Sequence, residues 1–198
     1  MAGDARGFTL MELLIALSIM AIITALTVPS FATMLAERRV SASAKAYAAA
    51  LRKAQAEAIA RNRNIEVLFT AAEPTPATVA SATATTAAAG GRWMVRRVGA
   101  DTVADFVEGH ALVDVTPTVT IDAPATVLGF TPLGRPVDLS SGTAAPLAGN
   151  VVVRFTDSTS ARRICTFLTT GGAIRTCDPL RASGDAAACQ PQLAPGDC

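Results

Sequence analysis

Glu12 is a carboxylate that lies within an apolar stretch. It follows Phe8 by four residues and precedes Leu13–Ala36, which contains no Asp, Glu, Lys or Arg. A carboxylate at mid-membrane costs about 2.5–3.5 kcal/mol on insertion scales, and less near a helix end. Glu12 therefore either marks the water-facing edge of a membrane helix or has a specific partner, and its apolar neighbours on both sides favour a partner.

A second group of reactive side chains lies at the other end of the chain. Its four cysteines fall in the last 34 of 198 residues, at Cys165, Cys177, Cys189 and Cys198. An even number of cysteines in a polar, Pro/Gly-rich region predicts disulfides and an oxidising compartment. A zinc site is not expected, because the sequence has no C-x-x-C pair and a single histidine, His110.

The third group is basic. Residues 150–181 carry five arginines against Asp157 and Asp178; the arginines are Arg154, Arg162, Arg163, Arg175 and Arg181. Such a cluster could bind phosphates with a steep salt dependence. The alternative, which we favour, is a solvated basic face on a β-hairpin.

Catalysis is not expected. The sequence contains no G-x-S-x-G, no P-loop and no H-E-x-x-H motif. His110 lies near Asp101, Asp105, Glu108 and Asp114, which we interpret as an exposed acidic loop. No cofactor is predicted.

The apolar stretch is long enough to cross a membrane. Leu13–Leu35 contains 23 residues, which as a helix reach about 35 Å, against a hydrocarbon core of about 30 Å. No small-residue cleavage site follows it, so we expect the segment to remain in the mature protein. The flanking charges do not settle its orientation, but the cysteines favour the C-terminal side lying outside.

The helical pattern continues past the apolar stretch. Apolar residues recur at steps of three and four, at Val40, Ala44, Tyr47, Leu51, Ala54 and Ala58. We predict one helix from about Phe8 to about Arg61, bent near Pro29. Its apolar stripe predicts packing against the rest of the chain.

The C-terminal two thirds predict a β-rich domain. We expect residues 71–91 to form a flexible surface loop, because they are rich in Ala, Thr and Pro. The predicted strands are 65–70, Trp93–Val98, Leu112–Val115, Val119–Ile121, Val127–Phe130, Val151–Thr156, Arg163–Thr169 and Ala173–Thr176. The fold class is therefore α+β, with a long N-terminal helix packed on an antiparallel sheet.

The last two strands predict a hairpin that bears on the cysteines. Arg163–Cys177 turns around Thr170-Gly171-Gly172, so Cys165 and Cys177 would face one another near its open end. A Cys165–Cys177 bridge is the first choice, and Cys189–Cys198 would then hold the tail. Four cysteines permit three pairings, and the sequence does not choose among them.

The segment Gly7-Phe8-Thr9-Leu10-Met11-Glu12-Leu13-Leu14 resembles the processing site of type IV prepilins and pseudopilins. The resemblance implies that a prepilin peptidase cuts between Gly7 and Phe8 and methylates the amine of Phe8. It implies that Glu12 pairs with the Phe8 amine of a neighbouring subunit, so that two costly charges neutralise each other. A proline like Pro29 is also a family feature, at a place where the helix can unwind in the filament.

Segments farther along the chain resemble one particular family of these proteins. Residues 55–59, Phe130-Thr131-Pro132-Leu133-Gly134-Arg135 and 170–177 are similar to segments of the GspH/FimT family of minor pilins and pseudopilins. Members implicated in DNA uptake carry Gly-Arg-x-Arg near the last segment. Here the sequence is Gly172-Ala173-Ile174-Arg175, which weakens a DNA role.

The function implied is a structural one. Residues 1–7 would be a leader peptide, 8–35 a transmembrane and assembly helix, 36–63 its amphipathic continuation, and 64–198 an extracytoplasmic domain. The chain would be a single-pass protein of the bacterial inner membrane, serving type II secretion or a type IV pilus. Its partners would be the prepilin peptidase, other pilins, the inner-membrane assembly platform and lipid. The alternative is a DNA-binding minor pilin that uses Arg162, Arg163, Arg175 and Arg181.

Overall fold

A computed structural model of the chain describes residues 9–86, 91–111, 119–190 and 198, with the backbone alone at residues 26–29. The chain divides into two compact units, Met1–Leu35 and Ala36–Cys198. The predicted start at Phe8 lies outside the described residues, as does the predicted strand Leu112–Val115.

One long helix, α1, spans Leu10–Arg61, within two residues of the predicted bounds. It ends where Asn62 adopts a left-handed conformation, at φ 51°. The N–H of Asn62 donates to the carbonyl of Ile59 at 3.3 Å, and that of Arg63 to the carbonyl of Ala58 at 3.2 Å. This pair of bonds satisfies carbonyls that the helix end would otherwise leave unpaired.

Ten strands follow in the described residues: β1 Ile65–Phe69, β2 Trp93–Arg97, β3 Phe106–His110, β4 Val119–Asp122, β5 Val127–Phe130, β6 Pro136–Asp138, β7 Ala145–Pro146, β8 Val151–Asp157, β9 Ser160–Leu168 and β10 Ile174–Cys177. They form a six-stranded sheet, in the order β3-β2-β1-β5-β6-β7, and a four-stranded sheet, in the order β10-β9-β8-β4. Every strand pair is antiparallel. The fold class is therefore the predicted one.

The core joins α1 to both sheets through Tyr47. Its ring stacks on Phe69 at 5.4 Å between centroids and contacts Trp93 edge-on at 5.5 Å, both in the six-stranded sheet. It also lies 5.8 Å from Phe155 of the four-stranded sheet. Burial raises the pKa of the Tyr47 hydroxyl, because the charged form would lose its water. The predicted stripe is confirmed as the buried face of α1.

The prediction that residues 71–91 form a surface loop is wrong for part of the segment. Val79 and Ala82 are buried in a second core on the outer face of the six-stranded sheet. Arg96 holds this segment, since its Nη1 donates to the carbonyls of both residues while its Nε pairs with Glu66 at 2.6 Å. An alanine-rich composition is typical of surface loops. Here two apolar side chains are enough to hold the segment on the sheet, because the sheet has apolar residues on both faces.

The predicted exposed acidic loop is also wrong in its main part. Glu108 and His110 lie in β3, where the His110 ring stacks on Trp93 at 4.0 Å between centroids. Asp105 is buried, accepts bonds from the backbone N–H groups of Asp101 and Thr102 at 3.1 Å, and pairs with Arg97. Asp114 lies outside the described residues. The acidic side chains misled the prediction because the sequence does not show that Arg97, in the preceding strand, would neutralise Asp105.

The predicted hairpin is confirmed, as is the prediction that the cysteines form disulfides, but the first-choice pairing is wrong. Cys165 and Cys177 are cross-strand partners in β9 and β10. Each bonds instead to the tail: Cys165 to Cys198 and Cys177 to Cys189, with Cα atoms 6.0 Å and 4.8 Å apart. Cross-strand neighbours project side by side from one face of a sheet. Cys189 and Cys198 reach that face from farther along the chain, so all four cysteines meet in one buried cluster.

Candidate assembly site

Thr9 and Glu12 form a closed pair at the start of α1. The Glu12 carboxylate oxygen Oε2 accepts from the backbone N–H and the hydroxyl of Thr9, each at 3.1 Å. The Thr9 hydroxyl in turn accepts from the backbone N–H of Glu12 at 3.3 Å. This is a capping box, in which Thr9 is the N-cap and Glu12 the third helical residue. The spacing Thr-x-x-Glu predicts it, and our sequence reading missed it.

The capping box fixes where the carboxylate lies. Four N–H groups at a helix start lack intrahelical partners, and the positive end of the helix dipole favours an anion there. Oε2 of Glu12 is occupied by Thr9, whereas Oε1 has no described hydrogen bond. Glu12 therefore keeps one oxygen that can accept a bond from a cation.

Polar side chains farther along the helix turn inward to their own backbone. The hydroxyl of Ser18 donates to the carbonyl of Leu14 at 2.7 Å, and that of Thr24 to the carbonyl of Met20. Each hydroxyl thereby satisfies its hydrogen bond within the helix. The helix consequently presents an almost wholly apolar surface.

That surface is exposed along its length. The large apolar side chains at least 43% exposed are Leu10, Met11, Leu13, Leu14, Ile15, Leu17, Ile19, Met20, Ile22, Ile23, Phe31 and Met34. By length and composition, α1 is the one helix in the described chain that could cross a membrane, with a mean hydropathy of 2.3 over 18 residues that are all unburied. So large an apolar patch marks a contact with lipid or with other apolar helices.

A second constellation positions the globular unit on the helix. The Gln55 amide donates to the carbonyls of Gly134, at 2.9 Å, and Gly172, at 3.3 Å. These two glycines occupy equivalent places in two hairpin turns, one from each sheet, and have φ of 72° and 87°. A side chain on Gly172 would come within 2.8 Å of the Gln55 nitrogen. The three segments that carry the family resemblance therefore meet at one point.

Comparison with protein families gives two matches. A model described as type II transport protein GspH matches residues 43–182, and a prokaryotic N-terminal methylation motif matches residues 4–28. The chain belongs to the GspH family. The family match includes Gln55, Gly134 and Gly172, and the motif match includes Phe8, Glu12 and the capping box.

Solved structures were also compared with this GspH-family chain. The type IV minor pilin FimU of Pseudomonas aeruginosa is 16% identical, with 69% of this chain and 90% of FimU covered and a TM-score of 0.46. The minor pseudopilin EpsH from the type 2 secretion system of Vibrio cholerae is 11% identical, with 72% and 99% covered and a TM-score of 0.46. No curated protein matches.

Family membership sets the general function. The chain is a structural subunit of pilin or pseudopilin type, with an N-terminal methylation motif and an apolar N-terminal helix. Gly7 and Phe8, which the sequence predicts as the cleavage site, lie outside the described residues. The side chain of Pro29 is likewise not described, so the predicted bend stays a prediction.

The structure does not bring the four predicted DNA-binding arginines onto one surface of this family member. Arg162 and Arg163 are neighbours in β9, so they project from opposite faces of the sheet. Arg162 pairs with Glu37 at 3.3 Å and with Asp178 at 3.4 Å.

The other two arginines differ in their surroundings. Arg181 lies 3.8 Å from Asp178 and 3.4 Å from Asp185. Arg175 lies exposed in β10. Two of the four arginines, Arg162 and Arg181, are therefore ion-paired, and the nucleic-acid function gains no support.

Proposed function

We propose that this chain is a subunit of an inner-membrane filament of the type II secretion or type IV pilus class, held in the filament by Glu12 and the apolar face of α1. The observation that supports this most strongly is that Glu12, oriented by Thr9, is the only carboxylate in the apolar part of α1, residues 10–36, and lies within an N-terminal methylation motif. Lipid would cover the helix before assembly and neighbouring helices afterwards.

Glu12 would act through the oxygen that Thr9 leaves available. After cleavage behind Gly7, the new amine of Phe8 on a neighbouring subunit is a cation, which can donate to Oε1. A hydrogen bond between two charged groups is roughly twice as strong as a neutral one. In an apolar setting it removes the penalty that each charge would carry alone. Correctly registered neighbours would thus be favoured over misaligned ones.

The same scheme gives the partners and the location. The prepilin peptidase and N-methyltransferase would process residues 7 and 8, and the assembly platform would receive the chain in the inner membrane. Helix α1 would cross that membrane once. The globular unit would lie on the oxidising side, which its two disulfides support.

Replacing Glu12 tests the docking role. We expect Glu12→Ala to be processed normally but to lose more than tenfold in filament incorporation, because breaking a desolvated ion pair costs about 3–5 kcal/mol. Immunoblotting of sheared filaments measures incorporation. Glu37→Ala is the matched control, since Glu37 is also a carboxylate on α1 but lies beyond the apolar run, and loss of its half-exposed pair with Arg162 should cost less than about 1 kcal/mol. Normal incorporation of Glu12→Ala would contradict the proposal.

A further inference from the structure

The two disulfides are nested in the sequence. Cys165 bonds to Cys198 and Cys177 to Cys189, so the second bond lies inside the loop that the first one closes. We call this the nested pairing. In the alternative, each cysteine bonds to the next one along the chain, Cys165 to Cys177 and Cys189 to Cys198. We call that the consecutive pairing.

Loop length favours the consecutive pairing in an unfolded chain. The nested bonds close separations of 33 and 12 residues, whereas the consecutive bonds would close separations of 12 and 9. The two pairings therefore differ by one long loop against one short loop. Because closing a loop becomes less probable with about the 3/2 power of its length, the consecutive pairing is favoured about four- to sevenfold. The lower value applies when the inner bond has already shortened the outer loop.

The β9–β10 hairpin favours the same mispairing. Cys165 and Cys177 are register partners, and the Cα atoms of such partners lie about 4.5–5.5 Å apart, a distance that a disulfide can span. A hairpin forms within about 1–10 μs, whereas disulfides form over seconds or longer. The thiols of Cys165 and Cys177 are therefore side by side before Cys198 is bonded.

The order of export acts in the same direction. The inference rests on the proposed location of the globular unit on the oxidising side of the membrane. With α1 as the anchor, the chain that follows it would cross from its N-terminal end. Cys165 and Cys177 then meet the oxidant before Cys189 and Cys198, and the first bond that can form is Cys165–Cys177.

A chain with the consecutive pairing has no means of correcting itself. Disulfides rearrange when a thiolate attacks one of their sulfurs, and a chain whose four cysteines are all bonded carries no thiolate. The nested pairing is the one in the structure, where none of the four cysteines is free and each is at most 8% exposed. Conversion to the nested pairing therefore needs a thiolate from another molecule.

We propose that this chain is a substrate of a thiol–disulfide isomerase, which converts the consecutive pairing into the nested one. The isomerase thiolate attacks the Cys177 sulfur, forms a mixed disulfide and releases the Cys165 thiolate. Cys165 then attacks the Cys198 sulfur and releases the Cys189 thiolate. Cys189 attacks the Cys177 sulfur and releases the isomerase. Each step replaces one S–S bond by another, so nothing is oxidised or reduced overall, and burial of the product ends the exchange.

Paired host strains test the proposal with the full-length chain. One bacterial host has an active isomerase on the oxidising side of its inner membrane, and in the other the catalytic cysteines of that isomerase are replaced. Free thiols are alkylated before lysis, and digestion after arginine and before aspartate places the four cysteines on separate peptides. We expect the fraction of chains with the nested pairing to fall at least threefold in the deficient host, with the consecutive pairing in its place.

Two double variants are the matched controls. Cys177→Ser/Cys189→Ser keeps only Cys165 and Cys198, and Cys165→Ser/Cys198→Ser keeps only Cys177 and Cys189. Each control has a single possible pairing, so its oxidised amount should agree within twofold between the hosts. Loss of the four-cysteine chain from the deficient host, with both controls retained, would also support the proposal, because it would show that the mispaired chain is degraded.

Refolding of the purified chain gives a second measurement that needs no variant. The full-length chain is reduced, denatured and then reoxidised in detergent, and a catalytic amount of reduced isomerase is added afterwards. We expect the consecutive pairing to exceed the nested one at least threefold at first, and the nested pairing to replace it once the isomerase is present. Nested pairing that forms equally fast without the isomerase would overturn the proposal.

The outcomes separate this proposal from those on which it depends. The same extent of nested pairing in both hosts would overturn the isomerase role alone. Consecutive pairing in both hosts would contradict the observed disulfides and overturn the isomerase role with them. Four free thiols in both hosts would contradict the proposed location and, with it, the isomerase role. The docking role of Glu12 is scored independently by Glu12→Ala.

Discussion

Gln55 connects three parts of the globular unit with one amide group. Its two hydrogen bonds end on hairpin turns that belong to different sheets. Both turns begin with a threonine whose hydroxyl accepts from the N–H four residues on, at 3.3 Å for Thr131 and 3.0 Å for Thr169. The repeated turn places two outward glycine carbonyls beside one helix position.

We expect Gln55→Ala to destabilise the chain by about 1–3 kcal/mol, because two part-buried carbonyls lose their donor. Thermal unfolding of the full chain in detergent measures this. Lys45→Ala, an exposed substitution on the same helix, should change stability by less than about 0.5 kcal/mol. Equal effects of the two substitutions would show that Gln55 does not hold the turns.

Asp105 makes stability depend on acid. Its hydrogen bond with Arg97 holds the pKa of the carboxyl far below its usual range. Because the folded pKa is lower than the unfolded value of about 3.9, the stabilisation is complete above that value and is lost as pH falls below it. We expect Asp105→Asn to be less stable than the parent at pH 7, with the difference shrinking below about pH 4.

Unfolding midpoints measured from pH 7 to pH 2 test this, with the exposed Asp122→Asn as the control. A difference between Asp105→Asn and the parent that stayed constant with pH would refute the assigned role of the carboxylate.

At the residue scale, unusual side chains can be recognised in the sequence, but most of their contacts cannot. Glu12 is recognised because an apolar run surrounds it, and its partner Thr9 follows a local spacing that can be read directly. The contacts of Gln55 and Asp105 join residues 79 and 8 positions apart. A single sequence contains no periodic signal for such pairs.

The largest error of prediction concerns the disulfide pairing at the hairpin of β9 and β10. The predicted register of the hairpin correctly placed Cys165 opposite Cys177. The sequence could not show that Cys189 and Cys198 would lie on the same face and take both bonds. Strands β6 and β7 were missed for a related reason, since they contain only three and two residues.

The two disulfides should contribute unequally. The Cys165–Cys198 bond closes a separation of 33 residues and the Cys177–Cys189 bond one of 12. On the chain-entropy view these contribute about 3.7 and about 2.8 kcal/mol. We expect Cys165→Ser/Cys198→Ser to lower the unfolding midpoint more than Cys177→Ser/Cys189→Ser. The reverse order would contradict the assignment of the longer loop.

Peptide mapping without reduction tests the connectivity itself. Cleavage before aspartate releases Asp197-Cys198 from the segment that contains Cys189, and a second cleavage after Arg175 separates Cys165 from Cys177, so that the four cysteines lie on four peptides. We expect this dipeptide to stay linked to the Cys165 peptide, and the Cys189 peptide to the Cys177 peptide. A dipeptide linked to Cys177 or Cys189 would refute the observed pairing.

At the scale of the whole molecule, the chain combines two units that differ in whether their apolar side chains are exposed or buried. Residues 10–25 and 30–34 expose their large apolar side chains, whereas the unit Ala36–Cys198 buries most of its apolar residues around Tyr47. The long helix and its buried face were predictable, because an uninterrupted apolar run and a 3.6-residue stripe are patterns that extend over many residues. The architecture of a filament subunit was therefore more predictable than any individual contact in it.

The central claim is that the chain matures into a filament subunit that begins at Phe8 and retains Glu12 on an intact apolar helix. Mass spectrometry of the full-length protein from cells with the prepilin peptidase tests it most directly. We expect the first residue to be Phe8 carrying a methylated amine, with Leu13–Leu35 still present. A protein that retained Met1, or one that had lost the apolar helix, would contradict the account.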